Sequence, residues 1–393
     1  MSTQLRRTVA AALFLVVAGL IRAPVEQKMT ATLRQDGLLQ PPLDVATTKK
    51  LGQGFWAVSL GGLRTLVGTI LSLRAQTFFE KYYWEGVADT YDTIVQLVPD
   101  SEFYWDTGAW HLSKNAVSYY RNNYEHLPAD RVHAEQKYWF GRGIDFLEEG
   151  LKHHPDSARL WHQLGVRYSE PFSFQKNYRR AAHAFRMASQ SPRALPYMRR
   201  FVAYCMVRDP DQIDDALPYV EELRHEPGGS VPTLVCVHFT LLMRQDPSRD
   251  GLPLAERMFG SDREAYQQLG RHFLDLDDDY PMNGVAETLR ALEEKLGVPE
   301  AKSVFNAREF LQRQRFSDLM EENPDRDGMA LARSMFGGPD EAYRQLSRYF
   351  LDHRGQYIVK GVTETLRRLE ERLSVPEEKS VFSNLAPLAP SNP

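Results

Sequence analysis

The hydrophobic positions of this chain recur at helical rather than strand spacing. Between residues 81 and 98 they fall at Val87, Tyr91 and Ile94, an i, i+4, i+7 series that Pro99 closes, and this predicts a helix. The same reading gives a helical hairpin over residues 103–120 and 135–152, stopped at Pro155. Another covers 158–168 and 175–189, stopped at Pro192. Further pairs fit 193–207 with 212–224, ended at Pro227-Gly228-Gly229. No run alternates apolar and polar residues beside hairpin-turn chemistry, so an all-α fold is expected.

Two helix starts resemble each other. Pro155-Asp156-Ser157-Ala158-Arg159-Leu160-Trp161 is echoed by Pro99-Asp100-Ser101-Glu102-Phe103-Tyr104-Trp105. After the first, Trp161, Leu164 and Tyr168 share one helix face, and Gly165 lets a partner helix approach closely. Ala181, Phe185 and Ala188 do the same on the return helix, so these residues are expected in the core.

The C-terminal third carries an internal match. Residues 239–305 align with 316–382 without a gap at an offset of about 77, with roughly 39 of 67 positions identical, the pattern of a tandem duplication. Met258-Phe259-Gly260 returns as Met335-Phe336-Gly337, and Val298-Pro299-Glu300 as Val375-Pro376-Glu377. Within each copy Pro247 and Pro324 end a helix. Ser261-Asp262 or Pro339 starts another, and Gly297 or Ser374 closes a later one.

The residues Trp161, Leu164, Gly165, Tyr168, Ala181, Phe185, Ala188 and Pro192 resemble the tetratricopeptide repeat, whose pattern is Trp-x-x-Leu-Gly-x-x-Tyr, then Ala-x-x-x-Phe-x-x-Ala, then Pro. An insertion at 171–174 lengthens the turn between the halves. Partial matches occur at Val87/Tyr91/Ile94/Pro99 and Gly143/Leu147/Gly150/Pro155, so the resemblance covers roughly residues 60–228. It implies a helical-hairpin solenoid that binds an extended peptide along its concave face. Counted from Trp105, that face presents Phe103, Asp106, Trp110, Ser113 and Lys114. Counted from Trp161, it presents Arg159, His162, Val166 and Ser169. A register that buries Trp105 should leave Trp110 outside the same seam. The segment Leu60-Gly61-Gly62-Leu63-Arg64 is similar to the start of uncharacterised bacterial membrane-anchored repeat proteins.

The N-terminus changes the picture. Arg6-Arg7 precede an apolar run over residues 9–21, closed by Arg22 and Pro24, with no good cleavage site after it. It reads as an uncleaved signal anchor with the body exported, on the periplasmic side. Residues 55–73 are also nearly all apolar or small. Arg64 in their middle favours a buried first helix over a second membrane segment.

Composition excludes more than it assigns. A net charge of −4 over 393 residues gives no basic field for nucleic acid. Cys205 and Cys236 have no metal or redox spacing; buried thiols are expected, although they could pair if their helices are neighbours. Asp275, Asp277 and Asp279 have a D-x-D-x-D spacing, but the later glycine and glutamate of a calcium loop are missing, and the second copy has Asp352, Arg354 and Gln356 instead. No catalytic, cofactor or metal constellation is evident.

The expected organisation is an anchor (1–24), a flexible linker (25–50), tetratricopeptide-like repeats (51–229), two helical modules (230–307 and 308–384) and a disordered tail (385–393). The expected role is a non-enzymatic scaffold without cofactor. It would bind a protein or peptide through Phe103, Asp106, Trp110, Arg159 and His162. A glycan-binding cell-envelope accessory using surface aromatics is the alternative.

Overall fold

The structure is a computed structural model, in which residues 28–29, 32, 63–122, 128–170, 173–275, 279–323, 326–353 and 358–383 are described. The expected anchor run at 9–21 and the tail at 385–393 lie outside them. Of the expected linker, only Lys28, Met29 and Thr32 are described. They are helical, with the Thr32 hydroxyl donating to the Lys28 carbonyl at 3.1 Å, so this stretch is not wholly irregular. Among the described residues no strand occurs, and no helix is long and apolar enough to cross a membrane. The fold is all-α.

The chain divides into two compact units, residues 1–101 and 102–393. The described part of the first is centred on a helix pair, α1 (Arg64–Glu80) and α2 (Trp84–Leu97), which pack on each other. The face predicted for α2 is its buried one, with Trp84, Val87, Tyr91 and Ile94 almost fully covered. Helix α1 departs from expectation. It runs past Arg74 to Glu80, and only Gly68 and Ala75 are buried along it. Among the described residues α2 covers one face of α1, and Leu66, Ile70 and Leu73 are exposed.

The second unit begins with α3 (Glu102–Trp110), which passes through a π-helical segment (His111–Ala116) into α4 (Val117–Asn122). It continues as α5 (Ala129–His153), α6 (Ala158–Ser169), α7 (Tyr178–Gln190), α8 (Tyr197–Met206) and α9 (Ala216–Arg224). Each packs on its successor from α5 onward, and α3 reaches both α5 and α6. The start of α6 is as read from sequence: the Ser157 hydroxyl accepts from the Leu160 amide at 3.2 Å. Asn177 caps α7 in the same way at 2.9 Å. Helix α8 starts only at Tyr197, after Pro196, and α9 is preceded by a 3₁₀ turn at Ile213–Asp215.

The helices close on each other at glycines. A Cβ on Gly150 would stand 2.9 Å from the Trp105 ring, and one on Gly165 would stand 2.8 Å from the Phe185 ring. Leu164, Tyr168, Ala181, Phe185 and Ala188 are buried as expected. Trp161 is not: it is half-buried at the edge of a small cluster, and its indole N–H donates to the Pro155 carbonyl at 2.7 Å. A ring that must keep an N–H satisfied sits well at such a rim.

The remainder comprises α10 (Pro232–Gln245), α11 (Gly251–Phe259), α12 (Asp262–Leu274) and α13 (Val285–Leu296), then α14 (Val304–Glu322), α15 (Gly328–Phe336), α16 (Pro339–Asp352) and α17 (Lys360–Leu373). Contacts recur 77 residues apart. The Tyr266 hydroxyl donates to Glu293 at 2.8 Å, and that of Tyr343 to Glu370 at 3.0 Å. Each glutamate also accepts a backbone amide, Val304 or Val381, at 2.9 Å. Phe239, Phe259 and Leu289 fill one core, and Phe316, Phe336 and Leu366 the other. Helix α14 serves both, because it packs on α12 and supplies Phe316 and Met320 to the second core.

One position differs between the two segments in a way that costs stability. Gly297 ends α13 at φ 63°, whereas Ser374 ends α17 at φ 51°, a left-handed conformation that a Cβ disfavours. Ser374→Gly is expected to stabilise the chain by about 1 kcal/mol and Gly297→Ser to destabilise it comparably, read from denaturant midpoints.

Candidate functional site

The face anticipated on the first helices of the hairpins is assembled by α3, the π-helical segment and α6. Phe103 and Trp110 project from it, 54% and 47% exposed, while Trp105 is 3% exposed beneath Gly150. The separation of Trp105 from Trp110 follows the expected register. The Phe103 ring meets Tyr104 edge-on at 5.4 Å.

Asp106 and Arg159 are brought together. The carboxylate is 7% exposed and accepts from Arg159 Nε at 2.6 Å and Nη2 at 2.5 Å, while the Arg159 side chain remains more than half exposed. Arg159 is thus the solvent-facing member of the pair, and Asp106 positions it. This two-donor geometry restricts the guanidinium more than a single contact would.

Below Trp110 lies Arg167, which the sequence reading did not single out. It is almost fully buried, its Nε donates to the Ser113 hydroxyl at 2.8 Å, and its guanidinium carbon lies 5.6 Å from the Trp110 ring centroid. Burial pulls its pKa down from the ordinary value, while the charges of Glu170 and Asp106 oppose that. Glu170 lies 4.0 Å from Arg167 and is also paired with Lys114. The signal was legible. Arg167 stands on the Leu160/Leu164 face of α6, where an apolar residue would be ordinary, and a cation in that stripe must find partners inside the fold.

Ser113 lies within the π-helical segment. Its hydroxyl donates to the Ala109 carbonyl at 2.6 Å while accepting from Arg167. Gly143 of α5 lies against it so closely that a Cβ there would be 2.9 Å from the Ser113 amide. Widened helical turns of this kind concentrate at functional sites because they re-aim side chains within a continuous helix.

His162 stands one turn after Arg159 on α6. Its ring is ringed by Phe185 (5.5 Å), Tyr197 (5.7 Å) and Phe201 (5.8 Å), and its Nε2 is buried with no hydrogen-bond partner among the described residues. A groove of about 690 Å³ opens beside it, lined in part by Glu102, His153, Arg159, Arg193 and Tyr197. Ligand clefts have this size, but the groove lies open to solvent, which suits an extended chain better than an enclosed small molecule.

Elsewhere, Asp279 accepts from Lys176 at 2.5 Å and Tyr178 at 2.8 Å, and Asp277 lies outside the described residues. Cys205 and Cys236 are buried thiols; burial pushes the Cys236 thiol up to about 12. Among the described residues no cluster of His, Cys, Asp and Glu could hold a metal ion. No protein-family model matches the chain, and no curated protein matches it.

Burial of His162 lowers its pKa below the ordinary 6.5, with Asp106 opposing and Arg167 assisting. The unfolded chain then binds a proton that the folded one resists. The stability contributed is whole above pH 6.5 and is lost as pH falls through the depressed folded value. His111, His238 and His272 are lowered by burial too. The melting temperature should drop on acidification below pH 6.5, and His162→Phe should flatten part of that drop. An unchanged profile in the variant would show that His162 is not the group responsible.

Proposed function

We propose that this chain is a tetratricopeptide-like repeat scaffold that acts by binding an extended peptide segment of a protein partner on the face formed by α3 and α6. The observation that carries this is the pairing of exposed Phe103 and Trp110 with an Arg159 held in place by Asp106, beside an open groove. Exposed aromatics next to a fixed guanidinium are the composition of interface anchors. Because Asp106, Ser113 and Arg167 are already bonded to each other's helices, ordering this face costs little on association.

The recurrence of hairpin packing from α3 to α9, with α3 reaching past α5 to α6, supports a stacked repeat arrangement in which this face is the concave one. The 77-residue recurrence supports a duplicated module after it. The apolar run at 9–21 supports anchorage at a membrane with the body on the exported side.

Arg159 replaced by Glu together with Trp110 by Ala should weaken partner capture by about tenfold or more, the scale of losing an aromatic anchor and its neighbouring charge. Tyr138→Ala, an exposed ring on α5, should leave capture unchanged. Full binding by the double variant would remove this face from the function. Quenching of tryptophan fluorescence by sugars, with no peptide response, would support the glycan-binding alternative.

A further inference from the structure

Helix α1 carries an exposed stripe that nothing in the binding face uses. Leu63 precedes the helix, and Leu66, Ile70 and Leu73 follow at i+3, i+7 and i+10. They are 48%, 55%, 56% and 66% exposed. The opposite side, with Gly68 and Ala75, is the one covered when α1 packs on α2. The stripe is therefore a second apolar face and not the edge of the first.

The polar groups on this part of the helix are turned inward on the backbone. The Thr69 hydroxyl donates to the Thr65 carbonyl at 2.9 Å, and the Ser72 hydroxyl donates to the Thr69 carbonyl at 2.7 Å. Such back-bonding satisfies hydroxyls without water. No acidic residue occurs in the first turn, and the helix reaches its first carboxylate at Glu80. The exposed face turns polar at Arg74 and continues through Gln76 and Thr77 to Glu80. Across residues 63–81 Arg64, Arg74 and Lys81 outnumber that carboxylate. Upstream, residues 55–62 contain no charge.

We propose that α1 lays the Leu63, Leu66, Ile70 and Leu73 stripe into the interfacial region of a lipid bilayer, with Arg74 at the headgroup level. An aliphatic stripe, hydroxyls already satisfied and a cationic excess are what an anionic lipid surface takes up. Arg64 lies on the half-buried side, which favours lying in the interface over crossing the membrane. This contact goes beyond the proposed anchor at residues 9–21 and does not depend on it.

The test uses the full chain with single cysteines at Leu66, Ile70, Leu73, Gln76 or, on α5, the exposed Tyr138, each carrying a polarity-sensitive fluorophore. The native thiols are buried, and the unsubstituted chain sets their background. With equimolar phosphatidylcholine and phosphatidylglycerol vesicles, labels at 66, 70 and 73 should shift to the blue and lose iodide quenching, while those at 76 and 138 should change little. A chain that floats with the vesicles while its stripe labels stay open to iodide keeps the anchor and overturns the proposal. Stripe labels shielded equally without vesicles, in a chain that sediments as a dimer, would overturn it in favour of self-association.

Discussion

Where α3 and the π-helical segment meet α5, and where α6 meets α7, helix separation is set by positions that carry no side chain. Gly150 lies under Trp105, Gly165 under Phe185, and Gly143 against Ser113, each so close that a Cβ would force its neighbour aside. This contact fixes rotation as well as distance, because a helix that presents its glycine to a ring can present only one face outward. The exposure of Phe103 and Trp110 beside a buried Trp105 follows from that rotation. Overpacking such a seam forces the backbone apart or a ring off its rotamer, which is why large residues are not tolerated there.

The second constraint is electrostatic. A guanidinium as deeply placed as that of Arg167 is costly unless the fold surrounds it with acceptors, and here Ser113 accepts while Glu170 and Asp106 offset its charge. The bonds run between α6 and the α3 rod, so they hold the two helices in one register. Ser113, within the π-helical segment, both bonds Arg167 and packs on Gly143. The surface above is thereby built before any partner arrives. The proposed binding role of this face rests on that preorganisation.

Much of this was legible in the chain. Helix period, prolines and caps located the hairpins between residues 84 and 224, and Ser157 and Ser261 cap the helices they were expected to start, whereas Gly251–Phe259 and Gly328–Phe336 were not picked out. The Trp105/Trp110 split came from register alone. What escaped depended on partners that sequence does not name. The aliphatics of α1 read as a buried helix, because apolar content does not reveal how many neighbours a helix has. Trp161 read as core, but its indole N–H kept it at the rim beside Pro155. The π-helical segment at His111–Ala116 has no local sequence signature. Arg167 was visible as a cation in an apolar stripe, yet its role needed Ser113 and Glu170 to be found beside it. Asp106, read as a contact residue, holds Arg159 in place and is itself covered.

The central claim is that the α3/α6 face is a preformed surface for an extended peptide. The most direct measurement is selection of a random peptide library on the immobilised full chain, in parallel with the same chain carrying Trp110→Ala. The account predicts enrichment of peptides sharing a spaced motif that binds the native chain and is lost on the variant. Absence of enrichment, or peptides that bind both chains equally, would contradict it.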